Sequence, residues 1–430
     1  MKINRFRRNY VIAALLIKSI LIGVLAGLVV GLFREAIEKS QQIWLRLYHL
    51  SHQKPILLVG IILLLIFIGV LVGFCMKQQP HISGSGLPEV ELQFKGKLYL
   101  KWWTILWRKF IGGILAIGSG LLLGREGPSI QLGSSLGQCV GEKFGTTERD
   151  RRILLATGAA SGLAAAFNAP LGGTLFVLEE VFHNFSPRIW INSLAGTLAA
   201  DFVTSNLFGL RPVLQLEYTK PFPLNSYWLL IFLGLFLGIL SFAYQKILLM
   251  TAHLYDKIKI LPRWWHSFIP MVLLVPIAYY FPVAFGGGNT LILKLPHMMM
   301  ALGFLVFLFL LRFIFSIVSY DSGLPGGIFL PILTLGALIG AIYGGIMTRL
   351  GVLPASLTVN LIIFAMAGYF SGIVRSPFTA IILMTEMVGS LSHLMPLAVV
   401  SLVAYLVDDF LGRKPIYESL SDRITKKMID

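Results

Sequence analysis

Charge is what this sequence has least of: only 13% of its 430 residues are Asp, Glu, Lys or Arg, against 56% hydrophobic, and the mean hydropathy is +0.79. Soluble globular domains carry about 25% charged residues. An ordinary soluble fold is therefore excluded, and the chain reads as an integral membrane protein. Acidic residues are scarcer still, 20 against 36 Lys and Arg, for a formal charge of +16. In a soluble protein such an excess would point to nucleic acid. Here the basic residues flank apolar spans, at Lys2, Arg5, Arg7 and Arg8, at Arg149, Arg151 and Arg152, and at Arg413, Lys414, Arg423, Lys426 and Lys427. That is the pattern of the positive-inside rule, which places both termini in the cytoplasm and makes the lipid bilayer, not nucleic acid, the partner. Cysteine is nearly absent: Cys75 and Cys139 lie in or beside apolar sequence, so no disulfide framework is expected. The 8 histidines have no ligand-like spacing, and neither a metal nor a cofactor is expected.

What is present is hydrophobic sequence of two styles. Residues 1–10 read as a cytoplasmic basic arm. Residues 11–33 are long enough to span a bilayer despite Lys18, and without a small-residue cleavage site they read as a retained helix, with a signal peptide as the alternative. An amphipathic connection at 34–54 then leads to a second span at 55–75. From 76 to 209 the apolar runs are cut by Gly, Ser and Pro, at 83–88, 124–128, 157–162 and 168–173. Interrupted hydrophobic segments mark discontinuous helices that line a transport site. Residues 210–226 read as a connecting loop. Uninterrupted spans follow at 228–249, 268–281 and 298–318, with a polar aromatic loop at 262–266. The interrupted style returns at 323–340 and 367–377. A last span covers 395–407, and 408–430 form a short polar tail with no room for a folded regulatory domain.

The stretch Gly124-Arg125-Glu126-Gly127-Pro128 stands out because it sets two charges between apolar sequences. Charged side chains at membrane depth are costly and by default functional. Glycines let the backbone bend there, and proline suits the first turn of a helix. A helix beginning inside the membrane turns free N–H groups and a positive dipole end toward whatever lies in front of it, which favours an anion. Glu126 places a carboxylate at that position, which must move or be protonated to vacate it. The alternative is a structural Arg125–Glu126 ion pair at the membrane surface.

The chain also repeats itself. Gly124, Pro128, Gly133 and Gly137 recur as Gly327, Pro331, Gly336 and Gly340 at an offset of 203. Asn168-Ala169-Pro170 with Glu179 recurs as Arg375-Ser376-Pro377 with Glu386 at 207, and Gly84 and Gly86 recur as Gly286 and Gly288 at 202. Two transmembrane repeats, 11–209 and 227–407, with a site at their interface follow from this duplication.

With these motifs in order, Gly84-Ser85-Gly86-Leu87-Pro88, Gly124-Arg125-Glu126-Gly127-Pro128, Gly327-Ile328-Phe329-Leu330-Pro331 and Tyr417 in Lys-Pro-Ile-Tyr, the chain resembles the ClC family of chloride channels and chloride/proton exchangers over essentially its whole length. The resemblance implies an all-α fold of two inverted repeats with many tilted and discontinuous helices, and a homodimer in the plasma membrane with one pore per subunit. It implies an anion site made by Ser85, Gly86, the backbone N–H groups of Ile328 and Phe329, and Tyr417. These are neutral donors, which hold an anion weakly enough to release it. Taken alone, Ser85 would be a helix cap, Tyr417 an interfacial anchor and Phe329 a core residue.

By the same resemblance Glu126 is the gating glutamate, competing with chloride when charged and swinging away when protonated. Glu180 falls at the position that passes protons in the family's exchangers, and its neighbour Glu179 reads as structural. Adjacent acids repel one another, which favours one of them carrying a proton; the alternative is that both are solvated at a helix end. Glu180 favours exchange of chloride for protons over a passive voltage- or pH-gated chloride channel. By the same resemblance Ser85 implies chloride, with bromide tolerated, whereas a proline at that position would imply nitrate preference. Lys109 either raises the positive potential around the anion path or snorkels to the interface. Gly133-Ser134-Ser135-Leu136-Gly137 matches a nucleophile pattern of hydrolases, but that pattern needs a strand-turn-helix setting, and here it reads as helix packing. No enzymatic activity is expected.

Overall fold

The computed structural model describes residues 2–429 apart from 145–146, 184, 211, 217–220, 259–261 and 298–299, with the side chains of 2–11, 263, 393 and 429 also outside the described set. Among the described residues the chain folds into seventeen α-helices and no strand. The first eight are α1 (Lys2–Gln53), α2 (Ile56–Gln78), α3 (Leu87–Phe94), α4 (Trp102–Gly118), α5 (Glu126–Lys143), α6 (Glu148–Phe167), α7 (Pro170–Phe176) and α8 (Pro187–Phe208). The next eight are α9 (Tyr227–Lys257), α10 (Phe268–Tyr280), α11 (Asn289–Lys294), α12 (Leu302–Asp321), α13 (Phe329–Arg349), α14 (Thr358–Val374), α15 (Pro377–Val388) and α16 (Leu394–Phe410), followed by α17 (Ile416–Ile429).

The packing repeats along with the sequence. Helices α1, α6 and α8 pack on one another in the first half as α9, α14 and α16 do in the second, and α5 lies along α6 as α13 lies along α14. Among the described residues six stretches are long and apolar enough to cross a membrane, including Ile56–Gln78, Leu302–Asp321 and Phe329–Arg349. Helix α6 is not among them, because its first turn is charged and much of the rest is alanine, glycine and serine. Those small residues let it lie at the centre: every residue from Ile153 to Phe167 is buried. A Cβ on Gly133 or Gly137 of α5 would overlap the backbone oxygen of Gly158 or Leu154 on α6. The Gly-x-Ser-x-Gly stretch is therefore a helix-helix contact, close enough that only glycine fits.

One expectation from sequence differs from the structure, and others are refined by it. Residues 34–54 are not a separate connection, since α1 runs unbroken to Gln53. No glycine or proline interrupts that stretch, and Arg34–Glu38 and Glu35–Lys39 pairs support the helix at i,i+4. The basic arm continues the same helix in its backbone, and its side chains lie outside the described residues. The polar tail is in large part a helix, α17, which packs on α3. Ser421 donates to the Glu91 carboxylate at 2.5 Å, and Arg423 donates to Asp256 of α9 at 2.6 Å. In the connecting loop, Leu214 and Leu216 are buried and the Leu214 N–H donates to the Met387 carbonyl at 2.9 Å.

Candidate functional site

The two halves join through backbone at the glycine motifs. Gly124 and Gly327 exchange both of their N–H···O bonds at 2.7 Å, an isolated antiparallel bridge between the turns that precede α5 and α13. The Gly84 N–H donates to Gly323 at 3.1 Å and the Gly84 carbonyl accepts from Gly326 at 3.0 Å, so the loop before α3 is tied to the turn after α12. The first-turn N–H groups of α5 and α13 are thereby brought together, presenting the positive ends of both helices to one region.

Ser85 is buried, and its Oγ accepts from the Leu87 N–H at 3.3 Å from one residue ahead of Gly86, the N-cap of α3. Gly86 has φ +79°, and a Cβ there would overlap the Gln131 side chain, whose amide donates to the His81 carbonyl. Only glycine fits both the angle and the space. Ile328 and Phe329 are buried at the start of α13. The Phe329 ring packs on Phe370, Phe167 and Phe176 at 4.5, 5.1 and 6.1 Å, so its side chain belongs to the core while its backbone N–H faces the helix end. Tyr417, in the first turn of α17, is buried against Phe176. It lies within electrostatic reach of both Glu126 and Glu180. A cavity of about 570 Å³ has Ser85, Tyr320, Asp321, Arg423 and Lys427 in its lining; Tyr417, Ile328 and Phe329 are not among its lining residues.

Glu126 is the first residue of α5 and has no exposed surface. Its carboxylate folds back over Gly124, where a Cβ would overlap it, toward the backbone N–H of Leu330 on α13. Neither oxygen completes a well-aligned hydrogen bond. Arg125 turns the other way. Its Nη1 donates to Glu38 at 2.6 Å, Glu38 also pairs with Arg34 at 3.2 Å, and Arg34 donates to Asn168 at 2.8 Å. The Arg125–Glu126 ion pair considered from sequence is thus replaced by an Arg125–Glu38–Arg34 network.

Helix α7 ends in a single π-helical turn, Val177–Val181, a distortion that is rare and concentrated at functional positions. It aims two consecutive glutamates differently. Glu180 is buried and accepts from the Ser376 hydroxyl at 2.7 Å. Glu179 accepts from the N–H groups of Phe378 and Thr379 at 3.1 and 2.7 Å, capping α15. Glu386 returns the arrangement, accepting from Leu171 and Gly172 at 3.0 and 2.7 Å at the start of α7. The reading of both acids as solvated at a helix end is excluded for Glu180 by its burial.

Lys109 does not snorkel. It is fully buried, and its Nζ donates to the carbonyls of Ile82 and Gly84 at 2.8 and 2.7 Å, holding the loop that carries Ser85. Arg312, which sequence reasoning missed, donates to Ala284, Gly286 and Gly287 in the second half at 2.9, 3.0 and 2.7 Å. The signal was available, because Arg312 stands 203 positions after Lys109, the offset already seen for the glycines. Against this shared scaffold several residues break the repeat: Glu126 where the second half has Phe329, Glu180 where it has Met387, and Ser85 where it has Gly287. Among the described residues no cluster of His, Cys, Asp and Glu could hold a metal ion.

Residues 68–409 match the family described as voltage gated chloride channel. The chain is 34% identical to the H(+)/Cl(-) exchange transporter ClcA of Vibrio campbellii, covering 96% of this chain and 90% of that protein. To the ClcA of Salmonella typhimurium it is 32% identical, covering 96% and 89%. The crystal structure of a slow cyanobacterial Cl-/H+ antiporter superposes with a TM-score of 0.92 at 30% identity, over 97% of this chain and 99% of that one.

Proposed function

The chain belongs to the voltage gated chloride channel family, and we propose that within it this protein is a secondary transporter that exchanges chloride for protons. The observation that carries the reading is the Glu126 carboxylate, buried and directed at the N-terminal end of α13, where an anion would be held. A carboxylate there competes with chloride for the same positive helix ends. Protonation removes its charge and its claim on the site, so it can leave and admit the anion. Binding a proton and admitting chloride become two halves of one event.

The anion is held by Ser85, by backbone N–H groups of Gly86, Ile328 and Phe329, and by the Tyr417 hydroxyl. All of these are neutral groups. Lys109 supplies positive potential nearby but spends its donors on carbonyls, so the anion meets no cation directly and is released readily. Glu180 passes protons toward Glu126 from the side of α17; its Ser376 bond gives the carboxyl a fixed orientation. The four-member network around Arg125 keeps the start of α5 in place while the Glu126 side chain moves. We place the protein in the plasma membrane as a homodimer with both termini cytoplasmic and one pathway per subunit.

The test is made on purified protein in liposomes under voltage control, with internal pH recorded beside chloride efflux. A tenfold chloride gradient supplies about 1.4 kcal/mol per chloride, enough to lift a proton by about one pH unit for each one-for-one exchange. Uphill proton movement driven by chloride, lost in Glu180→Gln, establishes exchange. Chloride efflux without proton movement makes the protein a channel, and no chloride flux at all overturns the reading.

A further inference from the structure

Tyr320 belongs to none of the motifs above, yet it stands beside Ser85. It lies one residue before the end of α12, is 7% exposed, and shares the lining of the cavity with Ser85. A Cβ placed on Gly84 would be 3.5 Å from the Tyr320 hydroxyl oxygen, and Gly84 directly precedes Ser85. The two backbone bonds from Gly84 to Gly323 and Gly326 fix the turn after α12 against the Ser85 loop, so the two hydroxyls are held in register.

The repeat shows that the fold does not need this hydroxyl. The equivalent residue in the first half is Ile117, also buried. Around both positions the same turn is built: Gly120 donates to Ile117 at 3.1 Å as Gly323 donates to Tyr320 at 3.0 Å. Ser119 bonds the Ala116 carbonyl at 2.8 Å as Ser322 bonds the Ser319 carbonyl at 2.7 Å. Isoleucine satisfies every local requirement in one copy, so a phenol in the other answers to something else. Ser85 breaks the repeat in the same way, with Gly287 as its counterpart. The two departures lie next to each other in the lining of one cavity.

We propose that the Tyr320 hydroxyl is a further donor to the transported anion, contacting a small monovalent anion such as chloride or bromide together with Ser85 in the cavity both residues line; this rests on the reading of Ser85 as an anion ligand. The surroundings call for such a group. Of the charged groups in the lining, Glu89, Asp256 and Asp321 are acids, Arg423 and Lys427 are engaged by Asp256, and Lys77 stands over the Trp264 ring at 5.3 Å. A neutral phenol gives the anion a partner there without trapping it.

The experiment is isothermal titration of chloride into the full-length protein for the wild type, Tyr320→Phe, Ser85→Ala and the double variant. Hydrogen bonds to charged groups are the stronger class, so Tyr320→Phe is expected to weaken chloride binding about tenfold, and to do so both in the wild type and in the Ser85→Ala background. Tyr320→Ile, the residue type that serves at position 117, provides a second variant compatible with the fold. Unchanged chloride affinity in both Tyr320 variants, with Ser85→Ala weakened, overturns the role of Tyr320 alone. An effect of Tyr320→Phe that vanishes in the Ser85→Ala background makes Tyr320 a positioning residue for Ser85 and overturns it as a ligand. Unchanged affinity in Ser85→Ala overturns the underlying reading of the site itself.

Discussion

Lys109 and Arg312 are the same structural device in the two halves of the molecule: each is a fully buried cation that directs its donors at carbonyls of the glycine loop before a short helix, at 82 and 84 in one case and 284, 286 and 287 in the other. A glycine-rich loop inside a membrane protein has carbonyls that no water satisfies and that no regular ladder uses. A buried cation is the costly but sufficient answer to both problems.

Replacing Lys109 by Met takes the side-chain donor from the Ile82 carbonyl and leaves the Gly84 carbonyl with the Gly326 N–H alone, and is expected to lower stability by about 1–3 kcal/mol, read as a drop in the melting temperature in detergent. Arg312→Met is expected to destabilise similarly. Only Lys109→Met should also weaken chloride binding, because only its loop carries Ser85. Equal losses of chloride affinity in the two variants would count against this division.

Glu126→Gln removes the charge that competes for the end of α13 and leaves Arg125 bound to Glu38. The variant is expected to fold normally and to move chloride with no associated proton movement, at a rate insensitive to pH. Residual coupled proton transport in liposomes would show that another group does the work.

The consecutive glutamates separate by their partners. Glu180→Gln keeps an acceptor for Ser376 and is expected to suppress proton flux at nearly unchanged stability while chloride still moves. Glu179→Ala uncaps α15 and is expected to cost about 0.5–2 kcal/mol, the usual loss when a helix start loses its side-chain acceptor. Glu386→Ala should cost a similar amount for the same reason at α7. Thermal melts and paired proton and chloride fluxes distinguish the two effects.

Ser85→Pro tests selectivity. The bonds that tie this loop to the turn after α12 run through Gly84, not Ser85, so proline removes the hydroxyl and leaves that tie in place. Competition between chloride and nitrate is expected to shift toward nitrate, as the resemblance implies. Unchanged selectivity would remove Ser85 from the anion path.

The membrane class, the duplication and the residues that interrupt it could all be read from the linear chain, because bilayer solvation penalises every charge and every broken helix that has no purpose. Glu126 stood out for that reason, whereas Ser85, Glu179 and Glu180 were singled out by the resemblance of their motifs. Lys109 was legible as a charge out of place but not as a clamp, since nothing local says whether a long side chain reaches water or a carbonyl. Residues 34–54 misled because amphipathic sequence describes a helix with one polar face as readily as a surface connection. That this face meets Arg125 and Asn168 became visible only in the folded molecule. Folding likewise turned the tail into α17 and set Tyr417 against Phe176. It also brought Tyr320 to Ser85, which are 235 positions apart. Such pairings depend on where two repeats meet across the fold, and a linear pattern of hydropathy carries no term for that distance.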